Sequence, residues 1–341
     1  MKNYPLVSFI ILNWNGKKWL KNCLPSVMKV KYPAKEIILV NNGSTDNSRE
    51  YVKKYFPKVK IVEIKKNRGY AGANNYGVKF AKGKYLLFLN NDTVVTSNFL
   101  NTLVNDLESD KTIGAVQPQI RSLINKKLLD SVISYLTTTG FMYHYGYMKP
   151  WSKNKYQKKM YGYSIKGACF LMKKEDYVNL KGLDEDFVCY VEESDLCHRI
   201  WLSGKKVMYD PSVYVYHWGG GDMQVMTKDE VTVFRSYRNR FVSFLKNLSA
   251  LELIKTLPLL FIFCEGYVLM TLLHRKFKLA LGAQLGILSV FVSLQSIYKK
   301  RKYIQSNIRK VSDKEINQFI HKNPKLSYYY YFFNSPSKYK D

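Results

Sequence analysis

Acidic residues are scarce in this chain: 26 Asp and Glu stand against 54 Lys and Arg in 341 residues, a formal net charge of +28. The imbalance points to an anionic partner, and a membrane surface, a nucleic acid or a phosphorylated substrate would each satisfy it. Cysteine is scarce as well. Cys23, Cys169, Cys189, Cys197 and Cys264 are odd in number and have no Cys-x-x-Cys spacing. That argues against a disulfide framework and a thiolate zinc site, and implies reduced thiols in a cytosolic compartment. The first apolar run, Leu6 to Leu12, is shorter than a signal-peptide core and has no cleavage-like sequence after it, so it reads as a strand and the protein is expected to stay cytoplasmic. A hydrophobic fraction of 46% argues against disorder, and the length suits one large catalytic domain with an appendage.

What is present is alternation. Val7 to Asn13, Glu36 to Asn41, Val59 to Ile64 and Tyr85 to Asn90 are short apolar runs separated by helix-length segments, the pattern of βαβ units and a parallel sheet. Helices are expected over Lys17 to Met28, Asp46 to Tyr55 and Ala71 to Ala81, and right-handed crossovers place them on both faces. Between Asn125 and Tyr163 the pattern loosens into a Lys-, Tyr-, Thr- and Gly-rich tract, expected near a pocket mouth. Further on, Gly167 to Met172, Lys205 to Tyr209 and Val213 to His217 read as strands and Glu193 to Ser203 as a helix ending at Gly204.

Polar clusters end these strands: Asn41-Asn42-Gly43-Ser44-Thr45-Asp46, Asn67 to Asn75, Asn90-Asn91-Asp92, Glu192-Glu193-Ser194-Asp195 and His217-Trp218-Gly219-Gly220-Gly221. Open α/β sheets bind ligands at the carboxyl ends of their strands, so repeated polar ends imply one shared pocket. Asp92 with its two amide neighbours suits a hard divalent cation; taken alone, an ordinary Asx turn explains it as well. The Asn41 and Asn67 clusters suit a nucleoside and its phosphates, with Arg68 as a phosphate partner, against the alternative of turns and helix caps. Glu192, Glu193 and Asp195 at a helix start suit a general base, although the helix dipole attracts acids there without function. His217, before three glycines, suits a metal ligand, although a lone strand-end histidine is more often structural.

Thr256 to Leu273 and Leu279 to Tyr298 are strongly apolar, with Glu265 the only charge inside them, and each approaches the roughly 20 residues that span a bilayer. The link His274-Arg275-Lys276-Phe277-Lys278 is too basic for a translocated turn, so a membrane-dipping or interfacial pair is expected, with a soluble hairpin as the alternative. The tail with Tyr328 to Phe333 would sit at the membrane interface or pack on the protein.

Taken in order, these motifs resemble the family 2 inverting glycosyltransferases of the GT-A fold, particularly their bacterial rhamnosyltransferase-like branch. The matching stretches are Val7 to Asn15, Val40 to Asp46, Asn67 to Asn75, Leu89 to Thr93, Gly167-Ala168, Gly182 to Glu185, Tyr190 to Arg199 and His217 to Gly220, about residues 5–245. The resemblance implies an α/β fold with a Rossmann-like, mostly parallel sheet as catalytic domain over residues 1–247, an apolar helical pair at 248–302 and a basic, aromatic tail at 303–341. It implies that Asn13, Asn41, Asn42, Arg68 and Asn91 hold the nucleotide, Asp92 and His217 a Mg²⁺ or Mn²⁺ ion, and that Glu193 is the general base with Glu192 beside it. The Gln-x-x-Arg-Trp signature of processive members is missing, which implies transfer of one sugar. The expected partners are a nucleoside diphosphate sugar (dTDP-rhamnose or a UDP-hexose), a glycan or lipid-linked acceptor, and anionic lipids at the cytoplasmic membrane face. Two other readings remain: a catalytically inactive scaffold, which the Asn residues at acidic positions of the family allow, and a basic nucleic-acid-binding protein, disfavoured because the Lys residues are dispersed.

Overall fold

The computed structural model describes residues 4–219 and 229–329; Gly220, Gly221 and Tyr330 to Phe333, named above, lie outside them. Strands β1 (Val7–Asn13), β2 (Lys35–Asn42), β3 (Lys60–Ile64) and β4 (Tyr85–Asn90) run parallel, with β1 between β2 and β4. Alternate side chains enter opposite cores: Phe9, Ile11, Leu87 and Leu89 on one face, Ile10, Leu86 and Phe88 on the other. Burial on both faces is why these strands read as unbroken apolar runs. Helices α1 (Lys17–Met28) and α2 (Ser48–Tyr55) cover the first face through Leu20, Leu24 and Val52, while α3 (Gly69–Val78) covers the second through Ala71, Ala73 and Val78.

The chain continues through β5 (Thr93–Val95), α4 (Phe99–Ser109), β6 (Ile113–Ser122), β7 (Leu129–Ser131), β8 (Ile133–Leu136), β9 (Met142–Tyr145), β10 (Met160–Tyr161), β11 (Cys169–Lys173), α5 (Lys174–Asn179), α6 (Glu192–Leu202) and β12 (Lys206–His217). The sheet order is β10-β12-β6-β11-β4-β1-β2-β3, with β11 antiparallel to both neighbours and β12 parallel to β6. The two strands expected over 205–217 are one strand, interrupted by a register shift between Asp210 and Tyr214 where Pro211 sits. The tract at 125–163, expected near a pocket mouth, carries β7, β8, β9 and β10. Tyr143 and Tyr145 lie on the β8–β9 hairpin and are buried in the core, where aromatic rings pack edge to face.

Helix α7 (Asp229–Asn247) follows, then α8 (Ala250–Leu273), α9 (Phe277–Val292), α10 (Leu294–Tyr303) and α11 (Asp313–Ile320). The second apolar run is therefore two helices, since the axis bends by 66° between Phe277–Val292 and Leu294–Ile308. A Cβ on Gly282 or Gly286 would stand 2.5 or 2.6 Å from carbonyl oxygens of Glu230 and Phe234, so these small residues allow α9 to lie directly on the α7 backbone. That contact turns Leu281, Leu285, Leu288 and Phe291 outward, alongside Ile254, Phe261, Ile262 and Leu269 of α8. Among the described residues, Ala250–Leu273 alone is long and apolar enough by itself to cross a membrane. The segment after α9 folds back: Phe319 stacks on Trp201 at 5.6 Å, Tyr328 donates to the Met142 carbonyl at 2.8 Å, and Tyr329 packs on Phe263.

Candidate active site

The β4–β5 connection carries Asp92, and β5 pairs with the end of β12 so that Thr93 faces His217. This register brings His217 Nε2 to 3.2 Å from Asp92 Oδ1, while the other ring nitrogen, Nδ1, donates to Asp130 Oδ2 at 2.8 Å. Lys166 Nζ lies 2.8 Å from the same Asp130 oxygen. Burial acts to lower the His217 pKa, but the Asp92 and Asp130 carboxylates outweigh it and raise it to about 9. Burial likewise opposes ionisation of Asp130, and Lys166 and His217 overcome it, holding that carboxyl well below the usual range.

Asp92 Oδ1 is buried without a donor in hydrogen-bonding geometry. A carboxylate oxygen facing an imidazole nitrogen whose far side is held by a second carboxylate is a donor set that fits a hard divalent cation. Among the described residues no group of three or more His, Cys, Asp or Glu converges as a complete cage, so such an ion would share its shell with substrate oxygens or water.

At the ends of β1, β2 and β4 the amides form one network. Asn13 Nδ2 donates to Asn41 Oδ1 and to Ser44 Oγ, each at 3.2 Å, and Asn91 Nδ2 donates to Asn13 Oδ1 at 2.9 Å. Gly16 makes room for this: a Cβ there would lie 2.0 Å from Asn91 Nδ2 and 2.7 Å from Asn13 Oδ1. Asn41 also donates to Glu63 at 3.0 Å. Asn42 serves the neighbouring turn, donating to Asn67 Oδ1 at 2.9 Å and accepting from the Arg68 backbone at 2.9 Å. Asp46 accepts from the backbone N–H of Lys17 at 2.8 Å, tying the start of α1 to this edge. Arg68 stands apart from Asn13 and Asn91; its guanidinium pairs with Glu185 at 3.1 Å, both side chains largely exposed.

Glu192 and Glu193 open α6. Burial, then the charge of Glu193, raise the Glu192 pKa well above the ordinary value, and Glu192 Oε2 has no hydrogen-bond partner. Burial raises Glu193 too, but backbone N–H groups of Glu193 and Gly167 and the charge of Lys166 act in the opposite direction. Burial therefore weighs on both carboxyls, and Glu193 differs from Glu192 in having backbone N–H groups and a cation that favour its charged form. Tyr70 of α3 donates to the Gly167 carbonyl at 2.8 Å, closing the site on that side. Asp195 and Arg199 of α6 form a buried ion pair at 2.9 Å with Lys246 at 3.1 Å from Asp195, and they brace the helix from beneath.

The structure thus unites Asp92 with His217 and Asn13 with Asn41 and Asn91. Lys166 and Asp130 connect the metal-competent pair to Glu193. Neither of these two was legible in the sequence: each is a single charge in a tract without period, and the contact between them joins residues far apart in the chain. Tyr70 was visible only as a member of the Asn67–Asn75 cluster.

The family model for glycosyl transferase family 2 matches residues 8–178. Poly-beta-1,6-N-acetyl-D-glucosamine synthase of Staphylococcus aureus (strain COL) is 25% identical over 253 residues, 68% of this chain and 58% of the relative. The synthase of the same name from Staphylococcus epidermidis is 28% identical over 211 residues, 60% of this chain and 48% of the relative. The chain spans about half the length of these curated relatives. Among solved structures, S. aureus TarS 1–349 superposes with a TM-score of 0.57 at 16% identity, over 89% of this chain and 87% of that one. GalNAc-T7 with UDP, GalNAc and Mn²⁺ gives 0.56 at 21% identity, over 72% and 48%. The mannosyltransferase PcManGT from Pyrobaculum calidifontis with GDP-Man and Mn²⁺ gives 0.53 at 16%, over 89% and 86%. These likenesses are of the GT-A fold, the mixed, mostly parallel sheet described above. With the family model covering half of the sequence and the sheet built as in GT-A transferases, the chain belongs to glycosyl transferase family 2.

Proposed function

We propose that the chain transfers a single sugar, with inversion, from a nucleoside diphosphate sugar to a hydroxyl of a glycan or lipid-linked acceptor at the cytoplasmic face of a membrane. The observation that carries this reading is the meeting of Asp92 and His217 at one end of a chain of charges, through Asp130 and Lys166, with Glu193 at the other. In this reading Asn13, Asn41, Asn42, Asn91 and Arg68 hold the nucleoside diphosphate. Asp92 and His217 would hold Mg²⁺ or Mn²⁺, which when bound supplies positive charge against the departing diphosphate. Glu193 takes the proton of the acceptor hydroxyl as its oxygen bonds to the anomeric carbon, and the bond from that carbon to the diphosphate oxygen breaks with its electron pair on the diphosphate. Glu192, whose charged form burial disfavours and whose Oε2 has no partner, leaves this role to Glu193.

The names of the relatives and the UDP in the GalNAc-T7 complex favour a UDP-hexose over dTDP-rhamnose. Membrane contact is supported by the outward leucines, isoleucines and phenylalanines of α8 and α9 and by the exposed Lys276, Lys278, Lys299 and Lys302. Each well-placed basic residue contributes about 1 kcal/mol at an anionic surface. A peripheral or re-entrant seat suits the bent second pair.

Thermal stabilisation by UDP, dTDP, GDP, CDP and ATP, each with and without Mn²⁺, tests the donor site. The expected outcome is a metal-dependent shift with one diphosphate that disappears in Asp92→Asn. If no nucleotide shifts the transition, the donor reading fails and the inactive-scaffold alternative takes its place.

A further inference from the structure

The loop that delivers Glu193 is held in an unfavourable conformation. Val188, Tyr190 and Val191 have φ of 59°, 69° and 74°, and none is glycine. Branched side chains rarely adopt this left-handed region, so such a run persists only where its surroundings enforce it. Val191 is the residue from which α6 departs, and its carbonyl accepts from Asp195 N at 2.8 Å. Its conformation therefore aims the first turn, where Glu192 and Glu193 stand.

Two elements hold the loop. On the α3 side, Tyr70 N donates to the Val188 carbonyl at 2.7 Å, and Gly69 permits the approach, since a Cβ there would meet that oxygen at 2.5 Å. On the α7 side, Asn239 is 1% exposed, and its Nδ2 reaches the carbonyls of Phe187 at 3.0 Å, Cys189 at 3.0 Å and Tyr190 at 2.9 Å. Arg235, on the same helix face, adds a contact to Cys189 Sγ at 3.0 Å. A single buried amide, with two N–H groups, thus serves three loop carbonyls, of which that of Phe187 also accepts from Cys189 N.

We infer that Asn239 is a positioning residue for Glu193: it clamps the left-handed loop at 187–191 so that the carboxylate meets the Gly167 N–H and the charge of Lys166. The inference rests on the assignment of Glu193 as base. On its other side the loop meets α3 through the Val188 carbonyl, which accepts from Tyr70 N and Ala71 N.

The test uses the full-length protein with Asn239→Ala, Asn239→Asp, Val191→Gly and the double change Asn239→Ala/Val191→Gly. Readouts are sugar-nucleotide turnover by release of the diphosphate found in the donor screen, affinity for that diphosphate with Mn²⁺, the pH profile of kcat, and amide exchange over 186–193. Asn239→Ala is expected to lower kcat about 10²-fold, the scale for a misplaced catalytic group, with diphosphate affinity nearly unchanged. Its acid limb moves to higher pH, because Glu193 then loses the two partners that hold its pKa down. Asn239→Asp, of the same shape but with an acceptor facing three carbonyls, loses as much or more. Glycine adopts the left-handed region without strain, so Val191→Gly restores at least tenfold of kcat in the double variant.

An unmoved acid limb in Asn239→Ala, or no rescue by Val191→Gly, overturns the inference even if kcat falls, because a loss of fold would produce that fall alone. If the unaltered protein neither binds nucleotide nor turns it over, the transferase reading fails, and exchange alone decides the clamp. Faster exchange confined to 186–193 in Asn239→Ala then supports it, and unchanged exchange overturns it.

Discussion

Replacing Glu192 by Gln should leave transfer nearly intact, whereas replacing Glu193 by Gln should remove most of it. The two carboxyls are neighbours on one helical turn, and only their surroundings separate them. Burial and then the charge of Glu193 push the Glu192 pKa up, and one of its oxygens has no partner, so the neutral amide of Gln should be accepted there. Glu193 receives backbone N–H groups and the field of Lys166, and loss of a general base costs typically 10²–10⁴-fold in rate. The same asymmetry has a stability signature. A carboxyl whose folded pKa is raised contributes stability that is fully present below its unfolded value, near 4.3, and is lost as pH rises toward the folded value. The unaltered protein should therefore lose about 1.4 kcal/mol per pH unit through Glu192 above pH ~4.3, and Glu192→Gln should not. Urea denaturation of both proteins at pH 4, 5.5 and 7, with turnover at pH 7, measures both effects. Equal loss of turnover in the two variants, or a stability difference independent of pH, would refute the division of roles.

Three further outcomes are expected. Asp130→Asn, which removes the carboxylate that orients His217, should weaken Mn²⁺ affinity in the presence of the diphosphate by about 10–100-fold, measured by titration calorimetry; unchanged affinity would detach Asp130 from the metal site. Ile254→Lys with Ile262→Lys, both on the outward face of α8, should leave the soluble fold intact and abolish sedimentation with neutral phospholipid vesicles, while binding that persists would place membrane contact elsewhere. Asp195→Asn strips the buried cations Arg199 and Lys246 of a shared carboxylate and should cost about 3–5 kcal/mol in urea denaturation, with a cost under 1 kcal/mol arguing that the network relaxes around the loss.

The first half of the sheet was legible because its chemistry is local. β1, β2 and β4 are apolar on both faces and stop on Asn, so their limits and the pocket they share follow from the sequence. β6 escaped notice although every residue from Ile113 to Ser122 is buried, because Gln117, Gln119 and Arg121 interrupt its apolar pattern. Those side chains are paired inside the fold: Gln117 donates to the Val132 carbonyl, Gln119 to Tyr209, and Arg121 lies between the rings of Trp151 and Tyr214. A buried polar group costs little once partnered, and the partners lie in distant segments that a linear reading does not connect. Asp92 and Glu193 were visible for the opposite reason: each stands in a short polar cluster directly after an apolar or aromatic run. Asp130, Lys166 and Asn239 act by holding other residues, and such a role leaves no local pattern.

The same reasoning changes how the C-terminal third is divided. Apolar composition and a basic, aromatic tail suggest an interfacial pair followed by a tail at the membrane interface or on the protein, and the described part of that tail is stitched to the catalytic unit by polar contacts. Asp184 binds both Lys246 of α7 and Lys300 of α10, and Lys246 also reaches Asp195 beneath the base helix. Arg309 donates to the Asn247 carbonyl, Gln305 to those of Lys246 and Asn247, and Asp313 accepts from Ser249 N at 2.9 Å, so the end of α7 is capped by residues sixty positions later. Last-turn carbonyls of a buried helix need such partners. Cutting after Asn247 would therefore expose those carbonyls and strip Asp184 of Lys300 while it removed the apolar pair. Loss of activity in such a truncation would report on the fold as much as on the membrane, whereas charge placed on the outward face of α8 separates the two.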